Sequence, residues 1–136
     1  MYYRCLGMTT HSTCPFCHLP KDRVIDEDRH FMVIRDGFPI SPAHTLIIPK
    51  RHIQSFFELS EEERGSLFSI LERAKRQLED ECQPDAFNIG INDGPEAGQT
   101  VPHLHIHLIP RYKGDMKDPR GGVRWIMPQK AKYWDD

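Results

Sequence analysis

Residues 98–111, GQTVPHLHIHLIPR, decide how this chain is expected to fold, because three histidines alternate there with aliphatic residues. The histidines are His103, His105 and His107. A β-strand sends successive side chains to opposite faces, so the pattern predicts all three imidazoles on one face and the aliphatic side chains on the other. Pro102 and Pro110 are predicted to bracket this strand, since proline is not tolerated in the interior of a central strand.

The imidazole face allows three interpretations, namely an inert strand, a metal site and a catalytic centre. An inert strand is the least expected, because one such histidine is ordinary and three in strict alternation are not. A single ion held by all three is excluded, since a strand rise of about 3.3 Å per residue separates His103 from His107 by roughly 13 Å. Nucleophilic catalysis by the central His105, with the outer histidines orienting it or contacting substrate, fits the spacing best.

The loop before the strand, residues 92–100 with the sequence NDGPEAGQT, suggests what such a nucleophile attacks. Gly94 and Gly98 would allow backbone N–H groups to approach and cradle a phosphate, and Gln99 and Thr100 add polar side chains. An ordinary turn between strands is the alternative, because Asn-Asp-Gly is a common turn former. Joined directly to the histidine strand, the loop favours attack on phosphorus.

The string DGPEAGQTVPHLHIHLIPR resembles the signature of the histidine triad (HIT) superfamily of nucleotide hydrolases and transferases, His-φ-His-φ-His-φ-φ. It is most similar to the fragile-histidine-triad branch, the dinucleoside polyphosphate hydrolases, and the resemblance covers roughly residues 14–112. It implies release of a nucleoside monophosphate, adenylate being expected, through a covalent nucleotidyl-histidine intermediate on His105. It also implies a two-fold homodimer and a substrate that can arrive as a magnesium complex.

The resemblance further implies which residues hold the nucleotide. The α-phosphate is expected at Asn92, the backbone of Gly98, Gln99, Thr100 and His107. Asp36 is expected at the ribose hydroxyls, although a turn-forming aspartate before glycine is a comparable interpretation. Two alternatives to the hydrolase stay open. One is a nucleoside phosphoramidase of the same fold, because Asn92 is similar to that branch; the other is a non-catalytic, zinc-stabilised nucleotide-binding protein.

A second candidate site begins with Cys14 and Cys17 in CPFC. Such a pair can be redox-active, metal-binding or neither, and no thioredoxin-like βαβ context supports the redox interpretation. Two thiolates are half of a tetrahedral zinc site, and His52 and His103 are the candidates for the other half. This set resembles the zinc site of the related galactose-1-phosphate uridylyltransferases. The histidines that could replace His52 are His18, His30 and His44.

The remaining chain predicts an α+β fold with a five-stranded antiparallel sheet, one long helix and shorter helices. The helix is expected over residues 60–82, where Ser60 and Glu63 form a capping box ahead of an apolar stripe. Alternation and apolar runs predict the other strands. These strands are expected at residues 24–26, 30–36, 45–50 and 86–93.

The domain organisation is expected to comprise a loosely held arm at residues 1–12, a HIT domain at 13–112 and a tail at 113–136 packed on the domain or a dimer partner. A length of 136 residues suits one domain, and a net charge of −2 gives no basic field for nucleic acid. The sequence has no run of eighteen apolar residues, so no membrane-spanning helix is predicted. The absence of a signal-like segment and of a disulfide framework among four cysteines favours a reducing cytoplasm.

Overall fold

The computed structural model describes residues 13–135, so the predicted arm at residues 1–12 lies outside the described residues. The strands are β1 (Val24–Glu27), β2 (Phe31–Arg35), β3 (Thr45–Pro49), β4 (Ala86–Gly90) and β5 (Ile106–Arg111). The helices are α1 (Glu61–Cys82) and α2 (Pro128–Ala131), with 3-10 turns at Lys21–Arg23, Phe56–Glu58, Pro95–Ala97 and Gly122–Ile126. The strands pair antiparallel in the order β1-β2-β3-β5-β4, which confirms the predicted fold class.

Helix α1 begins at the predicted capping box. The Ser60 hydroxyl accepts a hydrogen bond from the Glu63 amide at 3.1 Å, and the Glu63 carboxylate accepts one from the Ser60 amide at 2.8 Å. The helix ends at Gln83, which adopts a left-handed conformation. Its buried face carries Leu67, Ile70, Ala74 and Leu78. Full burial of each leucine or isoleucine stabilises the fold by about 1.5–3 kcal/mol, so this stripe fixes α1 on the sheet.

The two faces of the sheet have different coverings. On one face, α1 packs over a core that includes the strand residues Phe31, Val33, Ile47, Ile106 and Leu108. On the other, Ile34, Leu46 and Ile48 are covered by the segment that contains Phe16 and Leu19. Because His107 pairs with Leu46 in the β3–β5 ladder, His107 belongs to this second face. The candidate site is therefore built on the side of the sheet away from α1.

The predicted limits of the histidine strand were wrong. Strand β5 begins only at Ile106, because the backbone before it turns to other partners: the His103 amide donates to the Val101 carbonyl and the Leu104 amide to the Ile53 carbonyl. The strand also continues through Pro110. Pairing with β3 stops at Leu108, so β5 has a neighbour on one side only at this proline, where a missing N–H is tolerated.

The chain after β5 folds back toward the sheet, where the Gly122–Ile126 turn contacts β4. Strand β4 is the last strand of the sheet and has β5 as its single neighbour. Within residues 13–135, no helix has both the length and the apolar character needed to cross a membrane.

Candidate active site and metal centre

His105 lies at the entrance to β5, with its ring held by its own backbone. Its Nδ1 is 2.9 Å from the carbonyl oxygen of His103. A carbonyl can only accept, so Nδ1 carries the hydrogen and Nε2 keeps an unshared electron pair. The ring packs between Phe16, with centroids 5.1 Å apart, and His107, with centroids 5.2 Å apart. The geometry therefore fixes one tautomer of His105, in which Nε2 has an electron pair available for a ligand or a reaction.

His107 belongs to a hydrogen-bonded chain that begins at a backbone amide. The Ile40 amide donates to His44 Nδ1 at 3.2 Å, so the hydrogen of neutral His44 resides on Nε2. That Nε2 lies 2.9 Å from Nδ1 of His107, which must therefore accept, and the hydrogen of His107 is placed on its own Nε2. A carboxylate oxygen of Asp36 lies 3.4 Å from the same Nε2 of His44. We call Asp36, His44 and His107 the relay cluster.

The histidines of this region are disposed to stay neutral at physiological pH. Burial lowers the pKa of His105, opposed by its hydrogen bond to the His103 carbonyl and by the Asp36 charge. Burial, aided by the nearby His105 and His44, lowers the pKa of His107 to about 4. The pKa of His44 is lowered by burial and raised less by Asp36. Neutral imidazoles are what nucleophilic attack and hydrogen-bond relay require.

A second cluster brings together the four predicted metal ligands. Its members, which we call the metal cluster, are Cys14, Cys17, His52 and His103, and their ligand atoms all lie within 4.8 Å of one another. Nδ1 of His103 lies 3.3 Å from the Cys14 sulfur and 3.0 Å from Nδ1 of His52. Nδ1 of His52 lies 3.0 Å from the Cys17 sulfur. His103 itself is fully buried.

The chemistry of this donor set fits a structural zinc ion. Nε2 of His103 is 2.8 Å from the Pro49 carbonyl oxygen, so Nε2 carries the hydrogen and Nδ1 directs its electron pair into the cluster. Metal-bound histidines usually donate their outer N–H to such a carbonyl. Burial and the neighbouring His52 and His105 hold the pKa of His103 at about 4, which keeps it neutral. Two thiolates and two imidazoles are a donor set typical of structural zinc sites, and Cys14, Cys17, His52 and His103 would hold such an ion.

The loop at residues 92–100 has a different internal structure from the predicted phosphate cradle. The amides of Ala97, Gly98 and Gln99 donate to carbonyls within the loop, and the Gly94 amide donates to the Gln99 side chain. The Gln99 amide group also donates to the Gln54 carbonyl at 3.0 Å. Gly94 and Gly98 have positive φ angles of 99° and 96°, which favours glycine. Both the oxygen and the nitrogen of the Gln99 side chain therefore hold the loop together, and its contact to the α-phosphate stays a prediction.

The other predicted nucleotide-binding residues lie at the surface or on the relay cluster. Asn92, Gly98 and Thr100 are exposed around the loop. Asp36 lies at the end of β2, where one carboxylate oxygen accepts from the Phe38 amide at 2.8 Å and the other faces His44. Sequence reasoning considered His44 only as a substitute zinc ligand. Its position opposite the triad depends on the β3–β5 register, which no local pattern reveals.

The five-stranded sheet and the histidine strand are features of a HIT domain, and the comparisons with known proteins give the same assignment. The HIT domain model matches residues 19–114, so the chain belongs to the HIT family. Protein hit of Bacillus subtilis is 38% identical over 108 residues, which are 75% of this chain and 74% of that protein. A bis(5'-adenosyl)-triphosphatase of Saccharomyces cerevisiae is 45% identical over 118 residues, 86% of this chain and 54% of the yeast protein. The chain therefore spans about half the length of that triphosphatase.

Solved structures give the same family assignment. SMU.412c of Streptococcus mutans superposes with a TM-score of 0.73 at 29% identity, covering 88% of this chain and 85% of that one. A Zn-bound histidine triad family protein of Mycobacterium smegmatis superposes with a TM-score of 0.68 at 32% identity, covering 91% and 83%.

Proposed function

We propose that this protein hydrolyses dinucleoside polyphosphates, such as diadenosine tri- or tetraphosphate, and releases a nucleoside monophosphate through a nucleotidyl-histidine intermediate. The observation that carries the proposal is the hydrogen bond from His105 Nδ1 to the His103 carbonyl at 2.9 Å, which leaves Nε2 as the nucleophile. The similarity to a bis(5'-adenosyl)-triphosphatase supports the substrate class.

The reaction has two steps. In the first, His105 Nε2 forms a bond to the α-phosphorus while the bond from phosphorus to the bridging oxygen breaks, and the rest of the substrate, a nucleoside di- or triphosphate, leaves with that electron pair. In the second, water attacks the same phosphorus and the nitrogen–phosphorus bond breaks, which returns neutral His105 with its hydrogen on Nδ1. The proton released by the water passes to bulk solvent. We assign to the N–H on Nε2 of His107 a hydrogen bond to a phosphate oxygen on which negative charge develops; the contact of its Nδ1 with His44, which puts the hydrogen on Nε2, supports this role. We assign the remaining contacts to the α-phosphate to the exposed side chains of Asn92 and Thr100, and the ribose hydroxyls to Asp36. A contact from the Gly98 backbone, which the resemblance also implies, would require its amide to leave the Pro95 carbonyl.

The metal cluster has a structural role in this proposal. A zinc ion held by Cys14, Cys17, His52 and His103 would cross-link the N-terminal segment to the start of β5. Phe16 lies between the two cysteines in sequence, and its ring contacts both His103 and His105 edge-on. The cluster therefore positions one wall of the catalytic site, and the reaction itself proceeds on the protein's own imidazoles. Magnesium belongs to the substrate, which we expect as a magnesium complex.

The test is adenylate release from diadenosine tri- and tetraphosphate, beside adenosine 5'-phosphoramidate, by the wild-type protein and by His105→Asn. His30→Asn serves as the matched control, because His30 lies at the start of β2 with its imidazole 3.8 Å from the Glu62 carboxylate, outside both clusters. We expect polyphosphate cleavage by the wild type and the control, and none by His105→Asn. Undiminished cleavage by His105→Asn would refute the proposed nucleophile.

The same experiment decides the alternatives. A preference for the phosphoramidate would assign the protein to the phosphoramidases, for which the similarity of Asn92 to that branch is the supporting feature. Nucleotide binding without release from any substrate would favour a zinc-stabilised binding protein. Two thiolates in a metal site suit a reducing compartment, and we propose the cytoplasm.

We also propose a two-fold homodimer. Strand β4 has a single neighbour in the sheet and leaves one row of backbone groups unpaired. Exposed apolar side chains lie on and beside it, among them Ile89 at 54%, Val123 at 70% and Ile126 at 78% exposure. These residues contribute to an adjoining cavity of about 530 Å³. A sedimentation experiment tests the proposal, and a monomer at micromolar concentration would exclude it.

A further inference from the structure

A single N–H in the relay cluster faces two acceptors. Because the Ile40 amide occupies Nδ1 of His44, the hydrogen on His44 Nε2 is the one that this ring can donate. Nδ1 of His107 lies 2.9 Å from it, and a carboxylate oxygen of Asp36 lies 3.4 Å from it. His107 and Asp36 compete for the same hydrogen, so a weaker attraction from one strengthens the hydrogen bond of His44 to the other.

The backbone fixes both the carboxylate and the imidazole in this arrangement. The other oxygen of Asp36 accepts from the Phe38 amide at 2.8 Å. The Asp36 amide in turn donates to the His44 carbonyl at 2.8 Å, and His44 is buried. The Asp36 carboxylate therefore cannot turn away from His44 without losing its bond to the Phe38 amide, and the backbone bond keeps the two residues adjacent. What can change is how strongly its oxygen attracts the His44 hydrogen.

Ribose hydroxyls would change that attraction. A carboxylate oxygen that already accepts hydrogen bonds from hydroxyl donors has less negative charge to offer a further donor. Hydroxyls bound to Asp36 would weaken its hold on the His44 hydrogen and leave that hydrogen to His107 Nδ1. A stronger bond at Nδ1 fixes the His107 tautomer whose Nε2–H faces the phosphate.

We propose that Asp36 and His44 are positioning residues that couple recognition of the ribose to the alignment of His107, so that the sugar hydroxyls raise the turnover rate and not binding alone. This inference rests on the proposed function, because it uses Asp36 as the ribose contact and His107 as the phosphate donor. It assigns to a buried histidine outside the His-φ-His-φ-His motif the role of transmitting sugar identity to the reaction.

The kinetic test compares diadenosine triphosphate with its bis-(2',3'-dideoxyadenosine) counterpart. For the wild type we expect kcat to fall about ten-fold with the dideoxy substrate, the lower end of what loss of an orienting partner costs. In His44→Phe, kcat is expected to be low for both substrates and their kcat ratio close to one, while the KM difference persists because Asp36 still contacts the ribose. In Asp36→Asn, discrimination is expected to disappear from both kcat and KM.

Persistence of the ten-fold kcat ratio in His44→Phe would overturn the coupling. A wild-type protein that discriminates in KM alone would overturn it as well. Absence of turnover with either substrate would instead refute the proposed function, and the spectroscopic test below would then decide the coupling by itself.

The spectroscopic test follows the ring nitrogens of His44 and His107 by ¹⁵N NMR in the zinc-loaded wild type, with adenosine 5'-monophosphate or its 2',3'-dideoxy analogue added to saturation. We expect adenylate to shift His107 Nδ1 toward a more strongly hydrogen-bonded value, and the dideoxy analogue to leave it near its position without nucleotide. Equal shifts with both nucleotides, or none with adenylate, would contradict the proposal. Failure of adenylate to bind would overturn both this coupling and the ribose contact on which it rests.

Discussion

The metal cluster and the relay cluster both contain two histidines, yet the backbone group bonded to one ring in each, His103 and His44, gives the clusters opposite chemistry. In the metal cluster, the Pro49 carbonyl accepts from Nε2 of His103, so Nδ1 directs an electron pair inward. In the relay cluster, the Ile40 amide donates to Nδ1 of His44, so Nε2 directs a hydrogen inward. A backbone carbonyl bonded to one ring nitrogen leaves the other nitrogen free to bind a metal, whereas a backbone amide bonded to one nitrogen leaves the other as a hydrogen-bond donor.

This difference matters because the side chains alone do not separate the two clusters. Asp36, His44 and His107 also place their ligand atoms within 4.8 Å of one another, as a metal site would. Binding a metal at His44 Nε2 would require its hydrogen to move to Nδ1, where the Ile40 amide hydrogen already points. The relay cluster is therefore a poor metal site in spite of its composition.

The largest expected effect separates His103 from His105, which are two residues apart. His105→Asn should lower kcat by about 10⁴-fold or more, since it removes the nucleophile, with little change in the melting temperature. His103→Asn should instead release zinc and lower the melting temperature. Turnover by each variant and differential scanning calorimetry check this contrast. Equal melting temperatures of the two variants would contradict the assignment of His103 to the metal cluster and of His105 to catalysis.

Loss of the metal is the next largest effect. Cys14→Ser should remove bound zinc and destabilise the fold by about 4 kcal/mol when zinc in the wild-type sample exceeds its dissociation constant a thousand-fold. Cys82→Ser is the matched control, because Cys82 ends α1 and lies outside the metal cluster. Elemental analysis and urea unfolding measure both quantities. Unchanged zinc content in Cys14→Ser would refute the metal cluster.

A smaller effect on kcat is expected from a substitution in the relay cluster. His44→Phe should lower kcat by about 10–100-fold, the usual cost of losing a group that orients a functional histidine, and should retain one zinc per chain. His44→Gln can still donate an N–H toward His107 and should recover part of the rate. Steady-state kinetics with zinc analysis check this prediction. Loss of zinc from His44→Phe would show that the two clusters are not separate.

The smallest effect concerns pH. The pKa of His107 is about 4 in the folded protein and near 6.5 when unfolded, so the unfolded chain binds more protons between these values. The free energy of unfolding therefore has its full value from this group above about pH 6.5 and decreases as the pH falls toward 4. At pH 5 the free energy of unfolding should be lower than at pH 7 by about 1–2 kcal/mol because of His107. His107→Asn should not show this decrease. Urea unfolding of both proteins at pH 7 and pH 5 measures the difference.

Local sequence patterns predicted the parts of this molecule that depend on short-range geometry. The capping box at Ser60 and the helix that follows it could be predicted because their spacing leaves few alternatives. For the metal cluster, the spacing indicated only the Cys14 and Cys17 pair, and the family resemblance favoured His52 over the other candidate histidines. The family resemblance was confirmed by the match to the HIT domain model. It supplied the role of His105, which spacing alone left as the most suitable of three interpretations.

The remaining features depend on long-range contacts. The start of β5 at Ile106 results from the bond between the Leu104 amide and the Ile53 carbonyl, fifty-one positions apart in sequence. The scaffolding contacts of Gln99 likewise depend on the distant Gln54 carbonyl. His44 reaches His107 only through the register of β3 on β5. Patterns of period two or 3.6 contain no information about such pairings.

The most direct measurement of the difference between the clusters is a long-range ¹H–¹⁵N NMR spectrum of the histidine rings in the zinc-loaded protein. We predict metal-type shifts at Nδ1 of His52 and of His103, together with protons on Nε2 of His44 and of His107. A metal-type shift on His44 or His107, or a proton on His44 Nδ1, would contradict the conclusion that the backbone partners of His103 and His44 decide the chemistry of the two clusters.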